Sequence, residues 1–159
     1  MILVALGSNM PGPWGSPRET VLRAIGELNQ FPLKLVAVSQ LLKTKAFGIE
    51  NQPDFINAVA VIETALAPES LLRKLHMIER AAGRTRRRRW GPRTLDLDLL
   101  AYHEIKKRQE GLAQKLLVLP HPGIAQRDFV LKPLLEVAPR WRNPASKKNV
   151  KDMLRVLLR

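Results

Sequence analysis

The chain has 159 residues, of which 45% are hydrophobic, and this is enough to fill the core of one ordinary domain. Disorder is therefore excluded, and the absence of cysteine excludes disulfides, thiolate metal sites and cysteine nucleophiles. The net charge of +13 comes almost wholly from residues 84–159, which hold 19 basic and 7 acidic side chains against 8 and 7 in residues 1–83. We expect one soluble, cytoplasmic domain over residues 1–159, with no membrane span, that binds an anionic partner.

The first part of the chain alternates short apolar segments with an amphipathic one. Residues 2–6 are apolar and end at a Gly-Ser-Asn sequence, which predicts a buried strand followed by a tight loop. A serine, a proline and a glutamate at the start of residues 16–30 predict a capped helix from Pro17 to about Gln30. Segments 33–42 and 55–64 are rich in β-branched and aliphatic residues, which predicts two further strands.

The second part continues with a helix that opens at Pro68 and ends near Gly83, followed by an arginine-rich loop and a strand over residues 94–101. Later helices are expected from Asp128 to before Pro139, and over residues 150–158. The order strand, helix, strand, strand, helix, strand predicts an α+β fold with a ferredoxin-like βαββαβ core. In this fold a mostly antiparallel sheet carries both helices on one face, and the later helices form a C-terminal extension.

Residues 84–100, RTRRRRWGPRTLDLDLL, place six arginines before two aspartates. In a strand, Asp96 and Asp98 share one face, and the leucines beside them face the core. Mg²⁺ typically takes one or two carboxylates together with phosphate oxygens, and guanidinium groups bind phosphate in a bidentate manner. The alternative is that both aspartates lie on the solvated face of an edge strand, paired to nearby arginines.

Two functions remain open on these residues alone. The sequence contains no P-loop motif and no dinucleotide-binding motif, so side chains must hold any phosphate, which favours phosphoryl transfer assisted by metal and arginine. Nucleic-acid binding is the second hypothesis, because ferredoxin-like sheets also bind RNA and the chain is strongly basic. It is weakened by the lack of aromatic residues on the first strand and by the single Phe55 on the third.

Four ordered motifs resemble the 6-hydroxymethyl-7,8-dihydropterin pyrophosphokinase family of folate biosynthesis. They are LVALGSN at 3–9, QPDFIN at 52–57, the arginine-rich block with RWGPRTLDLD at 83–98, and Pro120-His121 followed by Arg127-Asp128-Phe129. The resemblance implies transfer of pyrophosphate from ATP to the hydroxymethyl group of the pterin, with release of AMP. ATP and the pterin are therefore the implied partners, and we expect a monomer that binds no specific nucleic acid.

The resemblance also implies roles for individual residues. Asp96 and Asp98 would hold two Mg²⁺ ions, and with Arg84 and Arg93 they would form the catalytic group. The implied ATP-binding residues are Glu79, Arg84, Arg86, Arg93, His121 and Arg127, and the implied pterin-binding residues are Thr44, Phe55, Asn57, Trp90, Asp96 and Phe129. Asn57 offers the amide donor and acceptor that the edge of a pterin requires. No side chain stands out as a general base, so we expect metal activation and positioning to supply most of the rate.

Overall fold

The computed structural model describes residues 1–45, 53–84, 93–112 and 115–159. Its strands and helices, in chain order, are β1 (Ile2–Ser8), α1 (Pro17–Glu27), β2 (Leu33–Val38), β3 (Leu42–Thr44), β4 (Phe55–Thr64), α2 (Pro68–Ala81), β5 (Asp96–Tyr102), β6 (Lys107–Leu112), β7 (Lys115–Leu119), α3 (Asp128–Val137) and α4 (Val150–Leu157). Within the described ranges, every helix is too short or too polar to cross a bilayer.

The main sheet has the strand order β2, β4, β1, β5, with β3 also paired to β4. Its pairings are all antiparallel in the described part of the chain. The apolar residues of α1 and α2 pack on one face of the sheet, and those of α3 and α4 pack on the other. This confirms the predicted ferredoxin-like core with its helical extension, and it shows that the extension covers the second face.

The predicted start of α1 is confirmed, but its end is earlier than expected. The hydroxyl of Ser16 accepts from the Glu19 N–H at 3.2 Å, and the Glu19 carboxylate accepts from the Ser16 N–H at 3.1 Å, which forms a capping box. The helix ends at Glu27 rather than at Gln30, because the Gln30 N–H bonds to the carbonyl three residues earlier and so tightens the last turn.

The predicted strand over residues 33–42 is divided into β2 and β3, and Ser39 lies in the interruption. Its hydroxyl accepts from the Val59 N–H at 3.0 Å, and its own N–H donates to the Val59 carbonyl at 2.9 Å. Gln40 turns away from the sheet and donates its N–H to the Glu136 carboxylate of α3 at 3.1 Å. Two short strands therefore replace one long strand.

The register of the three central strands determines where a site can form. On the face covered by α3 and α4, cross-strand rows run from β4 through β1 to β5: Val61–Leu3–Ala101, Val59–Ala5–Asp98 and Asn57–Gly7–Asp96. Along β1 the side chains shrink from leucine to alanine to glycine, while those of β4 and β5 become polar. The sheet is therefore apolar at one end of this face and forms an open, polar depression at the other.

Candidate active site

A cavity of about 220 Å³ lies over this depression, between the central strands and the start of α3. It collects eight residues that the sequence predicts for the site: Thr44, Phe55, Asn57, Arg93, Asp96, Asp98, Arg127 and Phe129. Four parts of the chain that are distant in sequence thus meet at one place. Predicted residues Arg86 and Trp90 lie outside the described residues.

The alternation expected for β5 is confirmed at its start. Leu97 is fully buried on the α1 and α2 face, whereas the side chains of Asp96 and Asp98 are 18% and 25% exposed and line the cavity. The two aspartates therefore share one face, as strand geometry requires. Both reach the same solvent-accessible space.

Each aspartate lies close to arginine side chains. The two carboxylate oxygens of Asp96 accept hydrogen bonds from different arginines, Oδ1 from Arg84 at 2.7 Å and Oδ2 from Arg93 at 2.9 Å. The guanidinium of Arg127 lies 3.8 Å from Oδ2 of Asp98. The site thus holds its carboxylates and its arginines together as ion pairs, and these are the groups that phosphates and cations bind.

Glu79 of α2 supports this cluster from below. Its side chain is almost fully buried, and Oε2 accepts from the Arg84 guanidinium at 2.5 Å and from the Leu97 N–H at 2.7 Å. Burial alone would lower the pKa of Arg84, but the charges of Asp96 and Glu79 outweigh it, so the pKa is raised above its usual value. Arg84 is therefore charged throughout the working pH range and is held between two carboxylates. The predicted contact of Glu79 with nucleotide stays a prediction.

The opposite wall of the cavity is suited to a flat ring with donor and acceptor groups on its edge. The Asn57 amide is nearly buried and donates to the Thr44 hydroxyl at 2.6 Å. Beneath it, a Cβ on Gly7 would lie only 2.9 Å from the Asn57 Oδ1, so this amide rests directly on the glycine backbone. Phe55 and Phe129 provide apolar walls, and the Arg127 guanidinium lies 6.0 Å from the Phe129 ring centre.

A second cavity of about 260 Å³ shares Asp98 with the first. Apolar residues of α2, β5 and β7 form most of its walls, and His121 lies at its edge. The Gly123 N–H donates to Nδ1 of His121 at 3.0 Å, which assigns the proton of a neutral imidazole to Nε2, where it can donate to an anion. The predicted nucleotide contact of His121 therefore lies beside the second cavity and not in the first.

The donor set fits magnesium better than a metal that needs a complete protein cage. The described residues contain no cluster of three or more histidine, cysteine or carboxylate side chains. Asp96 and Asp98 supply oxygen ligands alone, which is what Mg²⁺ requires when phosphates complete its coordination. The two residues therefore fit a cation that arrives with a phosphorylated substrate.

Sequence patterns assign no role to Gly7 or Asn9, although both belong to the first motif. Gly7 lies in the floor of the cavity, and Asn9 bonds to the backbone of Arg93 and Pro53. The only local signal is an apolar strand followed by the sequence Gly-Ser-Asn, and such a sequence is common at ordinary turns.

Residues 3–139 match the family described as 7,8-dihydro-6-hydroxymethylpterin-pyrophosphokinase. The 2-amino-4-hydroxy-6-hydroxymethyldihydropteridine pyrophosphokinase of Aquifex aeolicus is 38% identical over 151 residues, which are 95% of this chain and 88% of that protein. The enzyme of the same name from Haemophilus influenzae is 44% identical over 135 residues, which are 85% of this chain and 79% of that protein. The one from Pseudomonas aeruginosa is 43% identical over 144 residues, 90% of this chain and 83% of that protein.

A solved structure of Plasmodium falciparum HPPK-DHPS with pteroate is similar in fold, with a TM-score of 0.77 at 12% sequence identity. The similarity covers 98% of this chain and 44% of that one, so the chain spans less than half of the Plasmodium protein. At this identity the likeness shows the fold alone. It agrees with the ferredoxin-like arrangement found in the sheet.

Proposed function

The chain belongs to the 7,8-dihydro-6-hydroxymethylpterin-pyrophosphokinase family, and we propose that Asp96, Asp98 and the neighbouring arginines carry out its reaction with bound magnesium. The chain is an enzyme of folate biosynthesis that transfers pyrophosphate from ATP to the hydroxymethyl group of hydroxymethyldihydropterin. The observation that supports the residue roles is the ion-pair cluster on β5, where both aspartates line the first cavity together with Arg93 and Arg127. Arg84 joins the cluster through its hydrogen bond to Asp96.

The pterin occupies the first cavity in this proposal. Its edge bonds to the Asn57 amide, and its ring lies between the apolar walls that Phe55 and Phe129 provide. Thr44 orients the amide, because its hydroxyl accepts one of the two amide hydrogens of Asn57. The pterin hydroxymethyl group then points toward Asp96 and Asp98, which line the same cavity.

ATP occupies the second cavity in this proposal, with its triphosphate directed to Asp98, where the two cavities meet. His121 and Arg127 are in position to bind phosphate oxygens from the start of the C-terminal extension.

Two magnesium ions held by Asp96 and Asp98 would supply charge neutralisation of the triphosphate and polarisation of the pterin hydroxyl. The residues of the chain bind and orient the reacting groups around them. The pterin oxygen attacks the β-phosphorus, and the bond from that phosphorus to the α–β bridging oxygen breaks. AMP leaves with the electron pair, and solvent accepts the hydroxyl proton.

Arg84 and Arg93 stabilise this leaving group. Both guanidinium groups donate a hydrogen bond to Asp96. A triphosphate competes for the same donors, so its arrival releases Asp96 for cation binding and brings the two arginines onto the phosphates. They then stabilise the negative charge that develops on the α-phosphate oxygen as the bond breaks.

The experiment measures AMP released from ATP, with and without the hydroxymethyl pterin and Mg²⁺. Asp98→Ala should lower kcat on the order of 10³-fold, because it removes charge stabilisation at the reacting phosphate. Asp152→Ala is the matched control, since this aspartate is exposed on α4 and, within the described part of the chain, its ion pair is with its helix neighbour Arg155. It should retain full activity.

Thermal melting of both variants tests whether the fold is intact. An Asp98→Ala enzyme with activity within a few fold of the wild type would contradict the metal assignment. Wild-type protein that releases no pterin-dependent AMP, while binding RNA with a steep dependence on salt, would contradict the enzymatic function and favour nucleic-acid binding.

A further inference from the structure

The loop after β1 contains a buried amide, Asn9, to which the reaction assigns no part. Its side chain is fully buried and bonds to two distant segments of the chain. Oδ1 accepts from the Arg93 N–H at 2.8 Å, and Nδ2 donates to the Pro53 carbonyl at 3.1 Å. The Asn9 N–H also donates to the Arg93 carbonyl at 3.1 Å, so Asn9 holds the Arg93 backbone through both its N–H and its carbonyl.

The two partners of Asn9 belong to different halves of the site. Arg93 donates to Asp96 and is one of the proposed phosphate-binding arginines. Pro53 lies two residues before Phe55, the first residue of β4 and a wall of the pterin cavity. Asn9 is 84 residues from Arg93 and 44 residues from Pro53, so it joins segments that lie far apart in the sequence.

The same loop also contacts the chain next to Arg84. A Cβ on Gly83 would lie 2.5 Å from the Pro13 ring, so this ring packs directly against the Gly83 backbone. Gly83 has φ +90°, which L side chains rarely adopt. The loop after β1 therefore contacts the backbone at or beside both arginines that bind Asp96.

We propose that Asn9 is a positioning residue, which fixes Arg93 relative to the pterin cavity through backbone hydrogen bonds and touches neither substrate. This rests on the proposed function, because it takes Arg93 as a phosphate ligand and the first cavity as the pterin site. Asparagine is the shortest side chain with both a carbonyl acceptor and an amide donor, and both groups are used here. A displacement of about 1 Å at a catalytic group can cost about 10²-fold in rate.

Two substitutions separate the bonds of Asn9. Asn9→Ala removes the side-chain bonds to Arg93 and Pro53, so kcat should fall by about 30- to 100-fold. Asn9→Asp keeps an acceptor for the Arg93 N–H but places a carboxylate oxygen against the Pro53 carbonyl. It should raise the KM for pterin by about 10-fold while kcat stays within about 3-fold of the wild type.

Asn143→Ala provides the matched control for loss of a buried amide. The Asn143 side chain is also nearly buried, and its Oδ1 accepts from the Ala145 N–H at 2.9 Å in the loop before α4. This variant should lose stability without a change in kcat or KM. A general effect of removing a buried asparagine is thus measured separately.

A double-mutant cycle with Arg93→Ala tests whether Asn9 acts through Arg93. In the Arg93→Ala background, Asn9→Ala should cause no further loss of kcat, because the group that Asn9 positions is gone. Losses that multiply in the double variant, or wild-type kinetics in both Asn9 variants, would overturn the proposal. If Asn9→Ala does not fold, Asn9→Asp alone tests the proposal. Equal changes in kcat and KM in Asn9→Asp would overturn the proposal. Failure of the wild type to release AMP would instead contradict the proposed function.

Discussion

The two faces of the main sheet belong to the same strands, yet they differ completely in character. On the face covered by α1 and α2, residues such as Val4, Ala60 and Leu99 form one continuous apolar core. On the other face the apolar cluster ends halfway along the strands, and the remaining half carries the cavity and its carboxylates.

This difference shows how a small domain divides stability from chemistry. Because side chains alternate along a strand, the site residues of β4 and β5 are each followed by a residue that packs in the core on the opposite face. Ala58, beside Asn57, and Leu97, between the two aspartates, are both buried in the α1 and α2 core. The core residues hold the strand in place, and the site residues are free to meet chemical requirements.

The largest effects are expected from substitutions at Ile62 and Asn57, which lie on opposite faces of β4. They test whether one face supplies stability and the other supplies the chemistry. Ile62→Ala should lower the free energy of unfolding by about 2–5 kcal/mol, because the side chain is 1% exposed and leaves a cavity. It should leave kcat and KM unchanged in the folded protein. Denaturant unfolding and steady-state kinetics measure the two quantities.

Asn57→Ala should show the reverse pattern. The KM for pterin should rise by about 10- to 100-fold, because the ring edge loses its partner. The free energy of unfolding should fall by only about 1 kcal/mol for the lost bond to Thr44. If the two substitutions had comparable effects on the free energy of unfolding and on the KM for pterin, the separation of stability and chemistry between the two faces would be contradicted.

A smaller effect is expected from two glycines. Gly7→Ala places a methyl group against the Asn57 amide and should raise the KM for pterin by up to about 10-fold. Gly26→Ala on α1 meets nothing within 4 Å and should increase the free energy of unfolding by up to about 1 kcal/mol. Kinetics and thermal melting compare them directly. An unchanged KM in Gly7→Ala would show that the cavity floor does not contact substrate.

The smallest effect concerns the solvent-exposed cap of α1. Backbone and hydroxyl hydrogen bonds from Ser16 lower the pKa of the Glu19 carboxyl. A carboxyl whose pKa is lower in the folded protein than in the unfolded chain stabilises the fold at pH values above its unfolded pKa. This contribution is lost as the pH falls below about 4. Glu19→Gln should therefore lower the melting temperature slightly at neutral pH, with kcat unchanged.

The difference in melting temperature between wild type and Glu19→Gln should become smaller as the pH falls below about 4, the ordinary range of a glutamate carboxyl. A difference that stays constant over this range would contradict the cap assignment.

Local patterns were sufficient for features that depend on neighbours in sequence. The capping box at Ser16, the end of α2 near Gly83 and the shared face of Asp96 and Asp98 each follow from the spacing of a few residues, and the structure confirms all three. The element order was likewise enough to predict the ferredoxin-like sheet, since βαββαβ has few compact arrangements.

Features that depend on long-range contacts could not be predicted in this way. The division of the second strand results from Ser39 bonding to Val59, and the docking of α3 is tied to Gln40 through Glu136. The hydrogen bond between Asn9 and Arg93 joins residues that are 84 positions apart in the sequence. In each case a common polar residue acquires its role from a partner that no local pattern specifies.

The glycine floor of the cavity bears on inhibitor design. Main-chain atoms cannot be exchanged by a point mutation, and every replacement for Gly7 adds atoms that collide with the Asn57 amide. A compound that rests on this floor therefore meets a surface that the enzyme cannot reshape without harming its own substrate site. Resistance to such a compound should arise at the rim, where Lys45 and Gln126 border the opening.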